Sequence, residues 1–164
     1  MNQQIKILDK LISIKREDLL HPYISGNKFR KLKYNLEEAK RNDKYTLLTF
    51  GGAFSNHILA VAAAGKEFDY KTIGIIRGEE LIHNYLDNPT LRKAEEFGME
   101  FVFVTREEYR NKNKEEFIER LKHNHGDFYI IPEGGTNALA IKGCEEILNS
   151  EDDEFDYICC AVGT

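Results

Sequence analysis

The sequence lacks two features that would direct the chain to a membrane. No apolar run is long enough to cross a bilayer, and the N-terminus, MNQQIKILDK, has no apolar signal-peptide core. We therefore expect a soluble, cytoplasmic protein with no membrane partner. An excess of positive charge is also lacking, since 23 Lys and Arg stand against 28 Asp and Glu, for a net charge of -5. No nucleic-acid partner is expected from this balance.

Cysteine is scarce as well. Cys144, Cys159 and Cys160 form no CxxC or Cys/His ligand pattern, so no metal site is predicted. Their odd number and apolar surroundings predict reduced, buried residues. His123 and His125 lie in LKHNHGD without further ligands nearby, and we interpret them as part of a solvated helix end.

The period of the apolar residues indicates the fold class. Short apolar runs alternate with helical stripes, which is typical of strands and helices that alternate in a parallel α/β sheet. Strands are predicted at 45–50, 71–76, 100–105, 127–131 and 156–162. Helices are predicted at 27–41, 55–68, 89–98, 107–124 and from Thr136 onward. The last helix should bury Leu139, Ala140, Cys144, Ile147 and Leu148. The acidic run at 150–156 is interpreted as a solvated turn.

The chain stops at AVGT, directly after the last predicted strand. An α/β protein would continue there through a glycine loop into another helix. We therefore expect these 164 residues to be the front part of a longer protein.

Four cations lie within six residues of SGNKFRKLKY, at 25–34. On a helix with about 100° per residue, Lys28 and Lys31 lie side by side at the edge of an apolar stripe, whereas Arg30 and Tyr34 face solvent. The stripe consists of Phe29, Leu32, Leu36 and Ala39, and Arg41 also points outward. Partial burial and a neighbouring cation would lower the pKa of Lys28 and make its amine a nucleophile for Schiff-base chemistry. An ordinary solvated lysine at a basic helix end is the alternative.

Two stretches share the order strand, Gly-Gly turn and capped helix. In TFGGAFSNHILAVAAAGKEF, Ser55 or Asn56 caps the helix, and free N–H groups predict an anion site at Ser55, Asn56 and His57. The alternatives are an ordinary cap and, for His57, a satisfied surface histidine. IPEGGTNALAIKG, at 131–143, repeats the pattern, which routine packing also produces. The terminal VGT is consistent with the start of a phosphate-binding loop.

Together, REDLLHPYISGNKFRKLKY, GGAFSNH, PEGGTNALAIKG and FDYICCAVGT resemble the family of 1-aminocyclopropane-1-carboxylate deaminase and D-cysteine desulfhydrase. The resemblance spans nearly the whole chain in the same order. It implies a pyridoxal 5'-phosphate enzyme with the tryptophan synthase β-like fold, fold type II, built from two open parallel α/β lobes. Residues 1–43 and 144–164 would belong to the large lobe, which is incomplete in this chain, and 44–143 to the small lobe. A homodimer is implied for the full-length protein.

The resemblance also implies residues that bind the cofactor. Lys28 matches the family lysine that forms the internal aldimine, and Lys31 matches a position near the cofactor phosphate. Asn56 matches the residue that bonds the pyridine 3-oxygen. Gly163 and Thr164 would begin the loop that cups the phosphate.

The implied substrate is a small amino acid, whose carboxylate would be held by the hydroxyl and N–H groups of Ser55, Asn56 and His57. Lys28 would move protons after the substrate amine displaces it, and Ser55 is a candidate participant in opening a cyclopropane ring. The sequence does not choose between deamination of the cyclopropane acid and desulfhydration of D-cysteine. The isolated chain is expected to be inactive and poorly stable.

Two hypotheses from other functional classes stay open. A non-catalytic α/β module would bind an anion at 55–57. A partner-binding domain would use the basic helix through Arg30 and Lys33, with strong salt dependence. The second is disfavoured because the cations are spread over different faces of the helix.

Overall fold

The computed structural model describes residues 2–160. Within this range the strands are β1 (Asn2–Ile7), β2 (Lys10–Lys15), β3 (Thr46–Gly51), β4 (Lys71–Arg77), β5 (Met99–Val104) and β6 (Tyr129–Ile131). The helices are α1 (Asn27–Arg41), α2 (Asn56–Phe68), α3 (Pro89–Glu96), α4 (Arg106–Arg110), α5 (Glu115–His125) and α6 (Ala138–Glu145). No helix in this part of the chain has the length and apolar character that crossing a membrane requires.

A four-stranded parallel sheet forms the centre of the fold, in the order β5-β4-β3-β6. The two central strands, TLLTFG and KTIGIIR, are almost entirely buried. Strands of this kind are buried on both faces because helices cover the sheet on each side. The parallel α/β class and these four strands are therefore confirmed.

Helix α2 is the most buried helix against this sheet, and its sequence explains why. Ser55 caps it, because the side-chain oxygen accepts the N–H of Ile58 at 3.3 Å. Alanines at 60 and 62–64 are buried and let the helix approach the strands closely. Gly65 lies where a side chain would overlap Thr72. Small residues on this face therefore set the distance between helix and sheet.

The prediction of one continuous helix at 107–124 is wrong, because this segment forms two helices, α4 and α5. Thr105 and Glu108 form a capping box at the start of α4, and a turn at 111–114 separates the two helices. The segment RNKNKEE, at 110–116, contains no apolar residue. Because helices in proteins are stabilised mainly by packing of an apolar face, nothing holds a helix through this segment.

The strand predicted at 156–162 does not form in its described part. Residues 156–160 lack strand geometry, and Tyr157 is 88% exposed. An apolar run becomes a strand only beside a hydrogen-bonding neighbour, and no strand within residues 2–160 pairs with it. Consequently Cys159 and Cys160 are exposed and Cys144 is half-buried, which contradicts the prediction of buried cysteines.

A hairpin near the N-terminus was not predicted. Strands β1 and β2 pair antiparallel and are largely exposed. Side chains of this hairpin contact the acidic run, where Asp152 forms an ion pair with Lys15 and accepts a hydrogen bond from Asn2 at 3.1 Å. These bonds lower the pKa of Asp152 to about 2. The acidic run is therefore only partly the solvated turn that its charge predicts.

Helix α6 packs against α1 and corrects the predicted orientation of two side chains. Gly143 lies against the backbone carbonyl of Arg30, at a point where any side chain would overlap it. The side chain of Arg30 binds Glu17 at 2.8 Å, and Tyr34 donates to Glu146, so neither faces open solvent. The helix begins at Ala138 after Asn137, not at Thr136. It ends at Glu145, and Leu148 beyond it is exposed, contrary to prediction.

Candidate active site

The two Gly-Gly turns lie side by side at one edge of the sheet. Strands β3 and β6 are parallel neighbours, with Thr49 opposite Ile131. The carboxyl ends of parallel strands meet at the same edge, which is where open α/β sheets bind ligands. The loop that carries Ser55 and the turn at Glu133–Gly135 are therefore adjacent, and the first turns of α1 contact the latter.

Two lysines of α1 converge on one carbonyl oxygen. Lys28 Nζ donates to the Gly134 oxygen at 3.0 Å, and Lys31 Nζ lies 3.3 Å from the same atom. Lys31 also donates to Thr136 Oγ1 at 2.9 Å. Gly134 has a φ of 69°, a conformation that favours glycine and turns this carbonyl toward the amines. The structure therefore brings the two predicted lysines together with the second Gly-Gly turn.

Lys28 is half-buried, and its pKa is lowered first by burial and then by the charge of Lys31. It also lies in the first turn of α1, where the helix dipole disfavours a cation. All three effects favour the neutral amine. Lys28 is thus not the fully solvated lysine of the alternative interpretation.

His57 is buried, with only 2% of its surface exposed, so the interpretation as a surface histidine is wrong. Its Nε2 lies 2.8 Å from Thr49 Oγ1, which also lies 2.9 Å from the Ile131 carbonyl oxygen. The 2.8 Å distance fits either tautomer of His57, with Nε2 donating to Thr49 or accepting its hydroxyl proton. Nδ1 is buried and forms no hydrogen bond of normal geometry among the described residues, while the Pro132 backbone interacts with the ring. Burial, followed by the charges of Lys28 and Lys31, lowers the pKa of His57 to about 3.

The first turn of α2 presents unoccupied polar groups beside His57. Ser55 Oγ accepts the N–H of Ile58, which leaves the hydroxyl proton available to a ligand. Asn56 is exposed as the first residue of the helix. The N–H groups of a first turn have no partner within the helix, so 55–57 can bind an anion.

Several residues of this region were not singled out from the sequence. Thr49 and Thr136 bond the site residues directly, as described above. Asn35 is fully buried inside α1 and joins Asn137, whose amide donates to Asn35 Oδ1 at 2.7 Å, and Tyr129, whose hydroxyl lies 3.1 Å from the same oxygen. A polar residue four positions after Lys31, close to the apolar stripe, is the one signal that could have revealed this network.

Gly163 and Thr164 lie outside the described residues. The site as described consists of Lys28, Lys31, Ser55, Asn56 and His57, together with the Gly134–Gly135 backbone.

The fold and this site define a class of protein, and comparison with known proteins identifies it. Residues 3–164 match the model of the family described as pyridoxal-phosphate dependent enzyme. The chain therefore belongs to this family, whose cofactor is pyridoxal phosphate. The resemblance seen in the sequence and the assignment to fold type II are confirmed.

Individual relatives refine the comparison. The chain is 35% identical over 161 residues to a Thermotoga maritima protein provisionally named 1-aminocyclopropane-1-carboxylate deaminase, covering 93% of this chain and 50% of that protein. It is 32% identical to the mitochondrial bifunctional D-cysteine desulfhydrase/1-aminocyclopropane-1-carboxylate deaminase of Arabidopsis thaliana, covering 92% and 41%. The chain thus spans about half the length, or less, of these relatives.

Solved structures agree on the fold. A structure described as an ACC deaminase homologue superposes with a TM-score of 0.67 at 30% identity, over 90% of this chain and 44% of that one. A hydrogen sulfide-producing enzyme from Fusobacterium nucleatum gives a TM-score of 0.55 at 20% identity, over 79% and 41%. The second likeness concerns the fold alone.

The residues present fit pyridoxal phosphate. An aldehyde needs an amine that is neutral near neutral pH, and burial and Lys31 favour this form of Lys28. The side chain of Lys31 ends at the same carbonyl and suits a phosphate. Gly135 leaves little room for a side chain, since a Cβ would lie 3.0 Å from the His57 ring, so the backbone can approach a ligand closely here.

Proposed function

We propose that the protein is a pyridoxal-phosphate dependent deaminase or carbon–sulfur lyase that acts on a small amino acid, with Lys28 as the residue that carries the cofactor. The observation that supports this most directly is the half-buried Lys28 amine, with its lowered pKa, at the carboxyl edge of the sheet. The sequence relatives carry the names of deaminase and desulfhydrase.

The residues of the site would divide the work as follows. Pyridoxal phosphate, when bound, withdraws electrons from the α-carbon of an amino acid. Lys28 would hold the cofactor and, when its amine is free, accept or return a proton at Nζ. Lys31 would lie near the phosphate, whose loop we expect to include Gly163 and Thr164.

Binding of the substrate would fall to the first turn of α2. The Ser55 hydroxyl and the N–H groups of Asn56 and His57 would hold the carboxylate, and the Asn56 amide would bond the pyridine 3-oxygen. Because His57 is buried and bonded to Thr49, it would orient this turn rather than titrate during the reaction. Ser55 also lies where it could take part in opening a cyclopropane ring.

The two other functional classes receive less support. A non-catalytic anion-binding module would use 55–57 but gives no role to the lowered pKa of Lys28. A partner-binding surface on α1 would need free cations, yet Arg30 binds Glu17 and Lys33 binds Glu146 at 2.6 Å. Both cations of that hypothesis are therefore neutralised within the chain.

The division into lobes is also a proposal. The sheet of β3 to β6 would form the small lobe, and the hairpin and α1 would belong to the large lobe. The packing of α6 on α1, with Gly143 against Arg30, favours placing the return to the large lobe near Asn137, before the predicted boundary at 144. A cytoplasmic location, a homodimer and the inactivity of the isolated chain stay predictions.

Reduction with borohydride tests the role of Lys28. The full-length protein, loaded with pyridoxal phosphate, should show a visible absorption band. After reduction and digestion, a pyridoxyl group should be found on the peptide that contains Lys28. Lys28→Ala should lose both. Lys31→Ala is the matched control, one helical turn away, and should keep the label on Lys28 while its affinity for the cofactor falls about tenfold, the effect of one charge-assisted hydrogen bond. A label on Lys31 or on any other peptide would contradict the proposal.

A further inference from the structure

A cavity opens at the carboxyl edge of the sheet, beside the candidate active site. It measures about 460 Å³ and is lined by Gly52 and Ala53, from the loop that carries Ser55, and by side chains that follow the neighbouring strands. Those side chains include Arg77 at the end of β4 and Tyr109 in α4. None of the residues assigned to cofactor or substrate lines this cavity, so it is a separate feature of the edge.

The cavity has more positive than negative charge. Its cations are Arg77, Arg106, Arg110 and Lys112, and its carboxylates are Glu80 and Glu133. Arg106 pairs with Glu80 at 2.6 Å, and Lys112 pairs with Glu133 at 3.2 Å. Both carboxylates are thus engaged, and within residues 2–160 neither Arg77 nor Arg110 forms an ion pair. Two guanidinium groups therefore remain to attract an anion.

The hydroxyl of Tyr109 supplies an independent indication of a ligand. Tyr109 is only 4% exposed, and its hydroxyl forms no hydrogen bond of normal geometry in the described part of the chain, with the Glu133 carboxylate as its nearest acceptor. Buried polar groups almost always have a partner, so an exception needs an explanation. Burial, followed by the nearby Glu133, raises the pKa of this phenol, which therefore stays protonated and able to donate. The Arg77 guanidinium lies 5.7 Å from the centre of the same ring.

We propose that this cavity is a binding site for a small oxyanion, of the carboxylate or phosphate class, held by Arg77 and by the hydroxyl of Tyr109. A planar guanidinium can donate two parallel hydrogen bonds to such a group, and a neutral phenol adds a third. The anion would replace the Glu133 carboxylate as the acceptor of the buried hydroxyl. The proposal does not depend on which reaction the candidate active site performs.

Direct binding measurements test the site without an activity assay. The full-length protein, saturated with pyridoxal phosphate, is titrated calorimetrically with inorganic phosphate and, separately, with succinate. Arg77→Gln should weaken binding about tenfold or more, and Tyr109→Phe about threefold to tenfold, because each removes a hydrogen bond to a charged group. Arg92→Gln, which removes an exposed arginine outside the cavity, is the matched control and should leave both affinities unchanged. The probe that binds more tightly identifies the class of oxyanion.

The outcomes separate this site from the candidate active site. Loss of binding in Ser55→Ala with unchanged binding in Arg77→Gln would place the anion at the substrate loop and overturn the proposal. Failure of both probes to bind the native protein would overturn it as well. Because Arg77 is exposed at a strand end and phenylalanine has nearly the shape of tyrosine, neither variant should prevent folding. A melting temperature measured for each variant checks this directly.

Discussion

The two Gly-Gly turns have the same pattern in the sequence but need glycine for different reasons. After β3, neither Gly51 nor Gly52 has a positive φ, and Gly51 is required because a Cβ would lie 2.5 Å from Ile58 Cγ1. After β6, Gly134 and Gly135 have φ values of 69° and 71°. Glycine is thus needed in the first turn to allow close packing against α2, and in the second turn to allow a positive φ.

This difference has a consequence for function. Close packing in the first turn lets α2 start directly above β3, which places Ser55 and His57 at the edge of the sheet. The positive φ in the second turn points the Gly134 carbonyl at Lys28 and Lys31. One turn therefore positions the polar groups of a helix N-terminus, and the other positions an acceptor for two amines.

The largest effect in this comparison is expected for Gly135→Ala. Alanine at positive φ costs about 1 kcal/mol, and overlap with the His57 ring, 3.0 Å from the new Cβ, adds about 2 kcal/mol. The free energy of unfolding should therefore fall by about 3 kcal/mol. Denaturant titration of the two proteins measures this change.

Gly134→Ala is the matched control for this prediction. It has nearly the same φ, but the closest atom to its Cβ would be Thr136 Oγ1 at 4.0 Å. Only the conformational cost of about 1 kcal/mol should remain. Equal losses for the two variants would show that the contact with His57 does not matter.

The second prediction concerns His57, where the two turns meet. Its pKa of about 3 in the folded protein lies below the ordinary value of 6.5, so between these pH values the unfolded chain binds a proton that the folded chain does not. The contribution to stability is complete above about pH 6.5 and is lost as the pH falls toward 3. From pH 7 to pH 5 the loss should be about 2 kcal/mol, and His57→Gln should abolish it.

A control variant accompanies this test, and one further titrating residue lies outside its pH range. His83→Gln removes a histidine from an exposed position and should leave the pH dependence as in the native protein. The stability that Asp152 contributes through its lowered pKa of about 2 is complete above about pH 4 and is lost only as the pH falls below that value, outside the range measured. If native protein and His57→Gln lose stability in parallel between pH 7 and pH 5, His57 is not the buried neutral group described here.

The sequence predicts what depends on local period and capping. The stripe of α1 correctly placed Lys28 beside Lys31, and the cap of α2 was narrowed to Ser55 or Asn56, because both features arise within one element. Arg30 was predicted to face solvent because its side-chain partner, Glu17, lies outside the helix, where the helical period gives no information. The break between α4 and α5 was missed although its signal is local, since the segment RNKNKEE contains no apolar residue.

The missed polar contacts follow the same rule. The bonds that join Asn35 to Asn137 and Asp152 to Lys15 link distant segments, and no spacing within either segment announces them. The conformational difference between the two Gly-Gly turns is equally invisible in the sequence. Both read as strand, two glycines and a capped helix, and only the φ angles separate them.

The last pair of variants tests the packing role of the first turn and includes the smallest predicted effect. Gly51→Ala places a Cβ against the fully buried Ile58, which must shift, but the variant also restricts the unfolded chain. This overlap, at 2.5 Å, is closer than the one at Gly135 and costs about 3 kcal/mol, of which the restriction of the unfolded chain offsets about 1, so the net loss in the free energy of unfolding should be about 2 kcal/mol. Gly52→Ala meets only Arg77 Nη2, at 3.8 Å, and should be neutral or slightly stabilising. A loss at Gly52 as large as that at Gly51 would mean that backbone conformation, rather than packing, governs this turn as it governs the second.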